Sequence, residues 1–383
     1  MTNALDRATP SVDALRAPAA PTDRAISDVV VNDIVGIRLV DATAADRAAV
    51  ERQFGPSGAA LGSPDITIRY VDRLPVDGAR LVGPEAAFTD EAFLLLRGRH
   101  KRAVRAAVPL DTVGGECEVV CEHGVGRVPL LVAIVNLTVL AKGGVALHAS
   151  AFERDGVGIL ATGWSKGGKT EALLASLSRG ARYVGDEWIH LYGTGRMGGI
   201  REPMRVWDWH LASQPALRNR VRRQDRLRMA ALRRLARAAC FGGPAGRRAA
   251  EVADRHRFVD LPPEQVAGRP IDDASASIDR LLLMTSTVSG PVRARPITGA
   301  EVADRMAGSL AFERAPLLDA YRAFRYAFPD RPNTLIEMAD DLERRCLHRF
   351  LDGIEAFEVL HPRPVDLEIL GDAIDGVEPR RLP

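Results

Sequence analysis

The chain has 383 residues, 46% of them hydrophobic and 27% charged, with a net charge of +2. That length can bury a sizeable core over roughly two domains, and the balance is ordinary for a globular chain. No apolar run reaches the ~20 residues that a membrane span needs, no charged-then-apolar leader opens the chain, and four cysteines are few, so the expectation is a reduced cytoplasmic protein with no membrane partner.

Residues 1–25 are rich in Ala, Pro, Thr and Asp without periodicity and read as a disordered tail. Residues 26–128 hold short strand-like runs at 35–40, 65–71 and 92–97 and read as a β-rich N-terminal domain. Cys117 and Cys121 fall in another such run. A zinc site there needs two more ligands, and Cys240 and Cys346 stand alone, so the cysteines do not read as metal ligands. Residues 129–142 read as a buried helix; this apolar run contains Asn136 and is too short to span a membrane. With it begins a second domain, 129–383.

Residues 145–152 form the next expected strand and carry His148. Asp155-Gly156 is a tight turn into the run 157–162, which is apolar enough for a buried strand. The most informative stretch follows: Gly163, Trp164, Ser165, Lys166, Gly167, Gly168, Lys169, Thr170. It fits the phosphate-binding pattern G-x-x-x-x-G-K-[ST] at every fixed position. Glycines let such a backbone wrap a polyphosphate with its N–H groups inward. Lys169 would reach the outer phosphates, and Thr170 would hold Mg²⁺. Leu173, Leu174 and Leu177 then share a helical face, and Gly180 stands where a helix stops. Strand, glycine loop, helix is the order that the pattern requires, and it makes ATP and Mg²⁺ the expected ligands. Only four residues of the chain are lysine, and Lys166 and Lys169 are two of them.

A short strand from Ala181 ends in Asp186-Glu187. An acid pair at a strand end, on the first strand after the loop helix, is a candidate Mg²⁺ ligand and base. A further strand is expected over 200–207, with Arg201 on it. Between Arg218 and Arg257 lie thirteen arginines against three acids, while the rest of the chain is net negative. This stretch reads as a solvated, mobile insertion, with helix through Leu232, Leu235 and Ala239. Arg222, Arg223 and Arg226 are candidates for substrate contact, and the lack of interleaved aromatics argues against nucleic acid. A core strand over 278–284 and helices over 300–306, 317–328 and 333–350 complete the reading.

Taken together, Leu147-His148-Ala149-Ser150, the turn, the glycine loop, its helix, Arg179-Gly180 and Gly185-Asp186-Glu187 resemble the bacterial HPr kinase/phosphorylase family, in particular its wider HPr-kinase-like group. The resemblance covers about 129–191. It implies a phosphoenolpyruvate-carboxykinase-like α/β (α+β) fold with a mixed central sheet. It implies a kinase that moves the γ-phosphoryl group of ATP to a hydroxyl of a protein, a peptide or a small molecule. In the family pattern Asp186 matches the base, and His148 matches the histidine beside it. Glu187 stands where the family has a second aspartate, and Arg201 matches an arginine on the next strand. The HPr-contacting signature is not recognisable, which puts HPr in doubt as the acceptor; relatives with this departure modify biosynthetic precursor peptides among other targets. A homo-oligomer is compatible with the sequence. The alternative is a non-catalytic ATP-binding regulatory or scaffold module of the same fold. A decarboxylating carboxykinase of the same fold would need Lys and His ligands around a second metal, and so few lysines argue against it.

Overall fold

The structure, a computed structural model, describes residues 26–97, 103–239 and 243–377. The tail expected over 1–25 and Cys240 lie outside the described residues. The chain opens with a hairpin of β1 (Ser27–Val31) and β2 (Val35–Val40), whose turn holds Asn32 and Asp33 at positive φ. α1 (Ala44–Phe54) follows in a region where the sequence suggested only strands. Thr43 accepts from the Asp46 N–H while Asp46 accepts from the Thr43 N–H, a capping box that starts the helix. β3 (Ile66–Val71), β4 (Arg80–Val82), β5 (Ala86–Phe88), β6 (Phe93–Arg97), β7 (Ala103–Ala107) and β8 (Cys117–Glu122) complete an eight-stranded sheet. Its order is β1-β2-β3-β8-β7-β6-β5-β4, with β3 parallel to both β2 and β8. In β3 the side chains alternate between core and surface: Ile66, Ile68 and Tyr70 are buried.

α2 (Leu131–Ala141) is apolar nearly all round, as a helix enclosed on several sides should be. It packs between β2 and the strand that follows it, β9 (Val145–Arg154). β10 (Val157–Thr162) pairs back on β9, and α3 (Lys169–Ser178) leads to β11 (Arg182–Gly185), β12 (Trp188–Tyr192) and β13 (Arg196–Gly199). The strand expected over 200–207 shortens to β14 (Met204–Trp207). Pro203 lacks the N–H that a ladder needs, and the strand begins after it.

β14 pairs with β15 (Phe258–Leu261), and the residues between them form α4 (Asp208–Ser213), α5 (Pro215–Arg220), α6 (Arg223–Ala239) and α7 (Gly243–Arg255). The arginine-rich stretch is therefore largely helical. After α8 (Pro263–Ala267) and β16 (Ser275–Ser277) come β17 (Arg280–Thr287), β18 (Arg293–Ile297), α9 (Gly299–Glu313) and α10 (Ala315–Ala327). The helix expected over 333–350 divides at Met338 into α11 (Thr334–Glu337) and α12 (Ala339–Leu351). β19 (Glu355–Pro362) and α13 (Leu367–Val377) end the described chain.

The second sheet runs β16-β13-β12-β9-β10-β17-β19-β18, with β11 also on β9. It is mixed: β10, β17 and β19 are parallel neighbours, and the other pairings are antiparallel. The molecule is thus a mixed α/β protein. Side-chain parity sorts the core onto two faces. Leu147, Leu160, Leu281 and Leu283 join α2, α9 and α12, whereas Ile159, Ala161, Leu282 and Met284 join α3 and α13. The first of these layers also takes in Val29, Ile37 and Ile66, so one apolar core runs through both sheets. Each fully buried Leu or Ile in it contributes on the order of 2 kcal/mol.

Candidate active site

The glycine-rich loop lies at the carboxyl end of β10, beside the carboxyl ends of its parallel neighbours β17 and β19, where ligands of open α/β sheets gather. Gly163 has φ +145° and Gly168 has φ +105°. A Cβ on Gly163 would stand 2.4 Å from the Met284 carbonyl oxygen of β17, and one on Gly168 would stand 2.1 Å from the ring of His361 on β19. Only glycine permits this loop to lie so flat on the sheet ends. His361 donates from Nε2 to the Gly167 carbonyl at 2.7 Å, and Gly167 N–H donates to the Trp164 carbonyl at 2.9 Å. Lys166 is exposed in a left-handed conformation, and its carbonyl accepts from Ser286 and Arg363. Ser165 is half-buried in the turn between them.

Lys169 opens α3 and is buried. Its ammonium donates to the carbonyls of Gly163 at 3.2 Å and Trp164 at 3.1 Å. Burial lowers its pKa, and the charges of Glu187, Asp186 and Glu313 only partly offset that. Ser150 on β9 donates to the Lys169 carbonyl at 2.6 Å and ties the helix start to the sheet.

Asp186 and Glu187 form the turn between β11 and β12, where β9 passes from one of these partners to the other. The Ala149 N–H donates to the Glu187 carbonyl at 3.1 Å and sets the turn against His148. Glu187 adopts φ +69°, a left-handed conformation that a β-carbon makes costly; such strain recurs at functional sites. Asp186 is buried and accepts from the Thr170 hydroxyl at 3.1 and 3.3 Å. Burial and the Glu187 charge raise the pKa of Asp186 to about 7, against the pull of Thr170, His148 and Lys169.

Both nitrogens of His148 face carboxylates: Nδ1 donates to Glu313 at 2.8 Å and Nε2 to Glu187 at 3.0 Å. Two carboxylate neighbours favour a proton on each ring nitrogen. Burial opposes that charge, but Glu187 and Glu313 outweigh it and the pKa is raised. Glu313, bonded to His148, is correspondingly lowered. The ring also stacks on Trp188, with centroids 5.6 Å apart.

The loop, Thr170, the acid pair and His148 are thus brought into one cluster. Arg201 is turned elsewhere: it donates to the Ile271 carbonyl at 2.9 Å and pairs with Glu264 at 3.6 Å, with no bond to the loop or the acid pair. Sequence reasoning missed Glu313 and His361. Glu313 sits 165 positions from its partner and ends α9, so no local pattern marks it. It also missed an aromatic pair at the loop mouth: Trp164 and Phe312, both more than half exposed, lie 5.0 Å apart.

Whether this cluster suits a magnesium nucleotide can be judged from its donors. Thr170 and Asp186 supply hard oxygens in mutual contact, Lys169 supplies a buried cation, and the loop admits no Cβ at Gly163 or Gly168. Among the described residues no group of three or more His, Cys, Asp or Glu side chains is disposed to hold a metal by itself. A Mg²⁺ ion that keeps most of its shell as phosphate oxygens and water needs only one or two protein donors, so the residues fit. Among the described residues no helix is long and apolar enough to cross a membrane. Compared with known proteins, the chain matches no family model and no curated protein.

Proposed function

We propose that the chain is an ATP- and Mg²⁺-dependent kinase of the phosphoenolpyruvate-carboxykinase-like, HPr-kinase-like kind, transferring the γ-phosphoryl group to a hydroxyl. The observation that carries this reading is the Thr170–Asp186 hydrogen bond. It joins the glycine loop to an acid pair whose second member holds His148. A glycine loop alone fits motors, switches and transport subunits. A loop, a buried acid and a histidine-held acid together fit phosphoryl transfer, which needs mainly positioning and charge stabilisation.

Thr170 and Asp186 would hold Mg²⁺. When bound, the ion neutralises charge on the phosphates and orients them. Lys169 and the backbone N–H groups of Gly168 and of the start of α3 bind the polyphosphate and stabilise charge that develops on the transferring group. Glu187, 43% exposed in its side chain, is the acid that an incoming hydroxyl can reach, whereas Asp186 lies beneath Thr170. Glu187 takes the hydroxyl proton as the acceptor oxygen bonds to phosphorus and the bond to the ADP oxygen breaks. His148, clamped by Glu313, fixes the direction in which Glu187 points. This division departs from the family pattern, in which the position of Asp186 is the base. The burial of Asp186 against the loop threonine is the reason for the departure.

Incubation with γ-labelled ATP, Mg²⁺ and hydroxyl-bearing proteins, peptides and small molecules tests the proposal. Label in an acceptor supports it. ATP binding with no transfer to any acceptor, and a biological role that survives Glu187→Gln, would instead establish the non-catalytic module.

A further inference from the structure

We infer that the arginine-rich hairpin of α6 and α7 is the docking surface for an acidic, leucine-bearing stretch of a polypeptide acceptor; this rests on the kinase reading. The hairpin is held together by small residues: Ala236, Ala250 and Ala253 are buried between the two helices, with Leu232 and Ala239 at the edge. That leaves its arginines outside. Arg222, Arg223, Arg233, Arg234, Arg247 and Arg248 are exposed, and none has a carboxylate in ion-pair reach among the described residues. An uncompensated field of this density costs stability through self-repulsion and is relieved by an anionic partner.

Exposed apolar side chains stand among the arginines of each helix. Leu227 and Leu235 on α6 are 60% and 53% exposed and, with Ala231 between them, follow the i, i+4, i+8 line of one helical face. On α7, Val252 is 56% exposed between Arg248 and Arg255. At the start of α6, Arg222, Arg223, Gln224 and Leu227 line a shallow, open depression. Cations around an apolar stripe complement a helix or strand of alternating acidic and aliphatic residues. The described part of the hairpin bears no aromatic ring on which a base could stack, which disfavours single-stranded nucleic acid.

The surface is also coupled to the loop helix. The insertion is clasped at its root: Asp208 accepts from Arg257 at 3.0 and 2.7 Å, and the Asp208 N–H donates to the Arg257 carbonyl at 3.1 Å. From that root His210 donates to Glu171 at 3.2 Å, and Gln214 donates to the Leu174 carbonyl at 2.5 Å, both on α3. The root of the insertion is therefore anchored on the helix that carries Lys169 and Thr170.

The test uses the full chain and fluorescence anisotropy with a synthetic peptide of about twenty residues, alternating Glu and Leu around one Ser. Oligouridylate and phosphatidylserine vesicles serve as rival ligands. Saturable peptide binding is expected, weakened about tenfold or more in Arg233→Glu/Arg234→Glu/Arg248→Glu, by less in the corresponding Gln variant, and falling with added salt. Equal affinity in the charge-reversed chain, no peptide binding, or tighter binding of oligouridylate or vesicles overturns the inference. Its failure is distinct from failure of the kinase reading. Unchanged transfer to a polypeptide acceptor by the charge-reversed chain removes the docking surface and leaves the kinase. Peptide binding with no transfer to any acceptor does the reverse.

Discussion

The hydroxyl of Thr170 donates to both oxygens of the Asp186 carboxylate, at 3.1 and 3.3 Å. This contact closes the gap between the first turn of α3 and the β11–β12 turn, sixteen positions apart. In the proposed reading it sets Asp186 beside Thr170 as a Mg²⁺ ligand. Asp186→Asn should then raise the Mg²⁺ concentration for half-maximal transfer and lower kcat/KM by about a hundredfold or more, since one anionic metal ligand is lost. A Mg²⁺ titration of initial rates reads this. An unchanged Mg²⁺ midpoint with reduced kcat would return Asp186 to the role of base.

Lys169 donates to carbonyls of its own loop and is buried. Lys169→Ala leaves those carbonyls and the polyphosphate without their cation. The thermal shift produced by ATP and Mg²⁺ should vanish, with affinity falling by about tenfold to a thousandfold, as for loss of one charge-assisted contact. Differential scanning fluorimetry with and without nucleotide measures it, and a full shift in the variant would remove the loop from the account.

Much of this candidate site is legible in the sequence. The spacing of Gly163, Gly168, Lys169 and Thr170 is local, and so is the strand-to-helix order around it, because both are written in adjacent residues. Asp186-Glu187 was visible as a break between two apolar runs. What stayed hidden depends on packing between distant segments. His361 stands on β19 because β19 pairs with β17 in parallel, a non-local choice with no signature in the residues near it. Glu313 ends a helix whose start alone was placed. α1 was missed because its apolar positions do not form a clean stripe, although Thr43 and Asp46 carry its cap. Arg201 was expected at the site by analogy of position. Its backbone leaves the sheet before β14, and the guanidinium finds Ile271 and Glu264 instead.

Glu313 grips His148 at Nδ1. Glu313→Gln keeps a hydrogen bond but loses a charge, so the ring should be less firmly protonated and Glu187 less firmly aimed. The expected outcome is a kcat about tenfold to a hundredfold lower with the KM for ATP little changed. Steady-state kinetics and the pH-rate profile separate this from a merely structural role, in which the nucleotide thermal shift would fall as well.

His190 ties the two sheets together: its Nδ1 accepts from Asn32 at 3.0 Å, and its Nε2 donates to Asn136 at 3.2 Å. The ring is fully buried, and that burial lowers its pKa to about 4. Above the unfolded value near 6.5 neither state is charged, and the ring has no effect on pH dependence. Between about 6.5 and about 4 the unfolded chain takes up the proton first, so stability falls with falling pH, by roughly 3 kcal/mol in total for this one group. Chemical denaturation at a series of pH values should show the loss, and His190→Gln should flatten that window. An equal slope in the variant would assign acid sensitivity to other groups.

The most direct test of the central claim is transfer of labelled γ-phosphate by the wild-type chain and by Glu187→Gln, with nucleotide binding followed in parallel. Labelled acceptor is expected with the wild type. In the variant a full thermal shift with ATP and Mg²⁺ is expected, with a transfer rate about a hundredfold to ten-thousandfold lower, the range for loss of a general base. Undiminished transfer in the variant, or no transfer by the wild type to any hydroxyl acceptor, would contradict it.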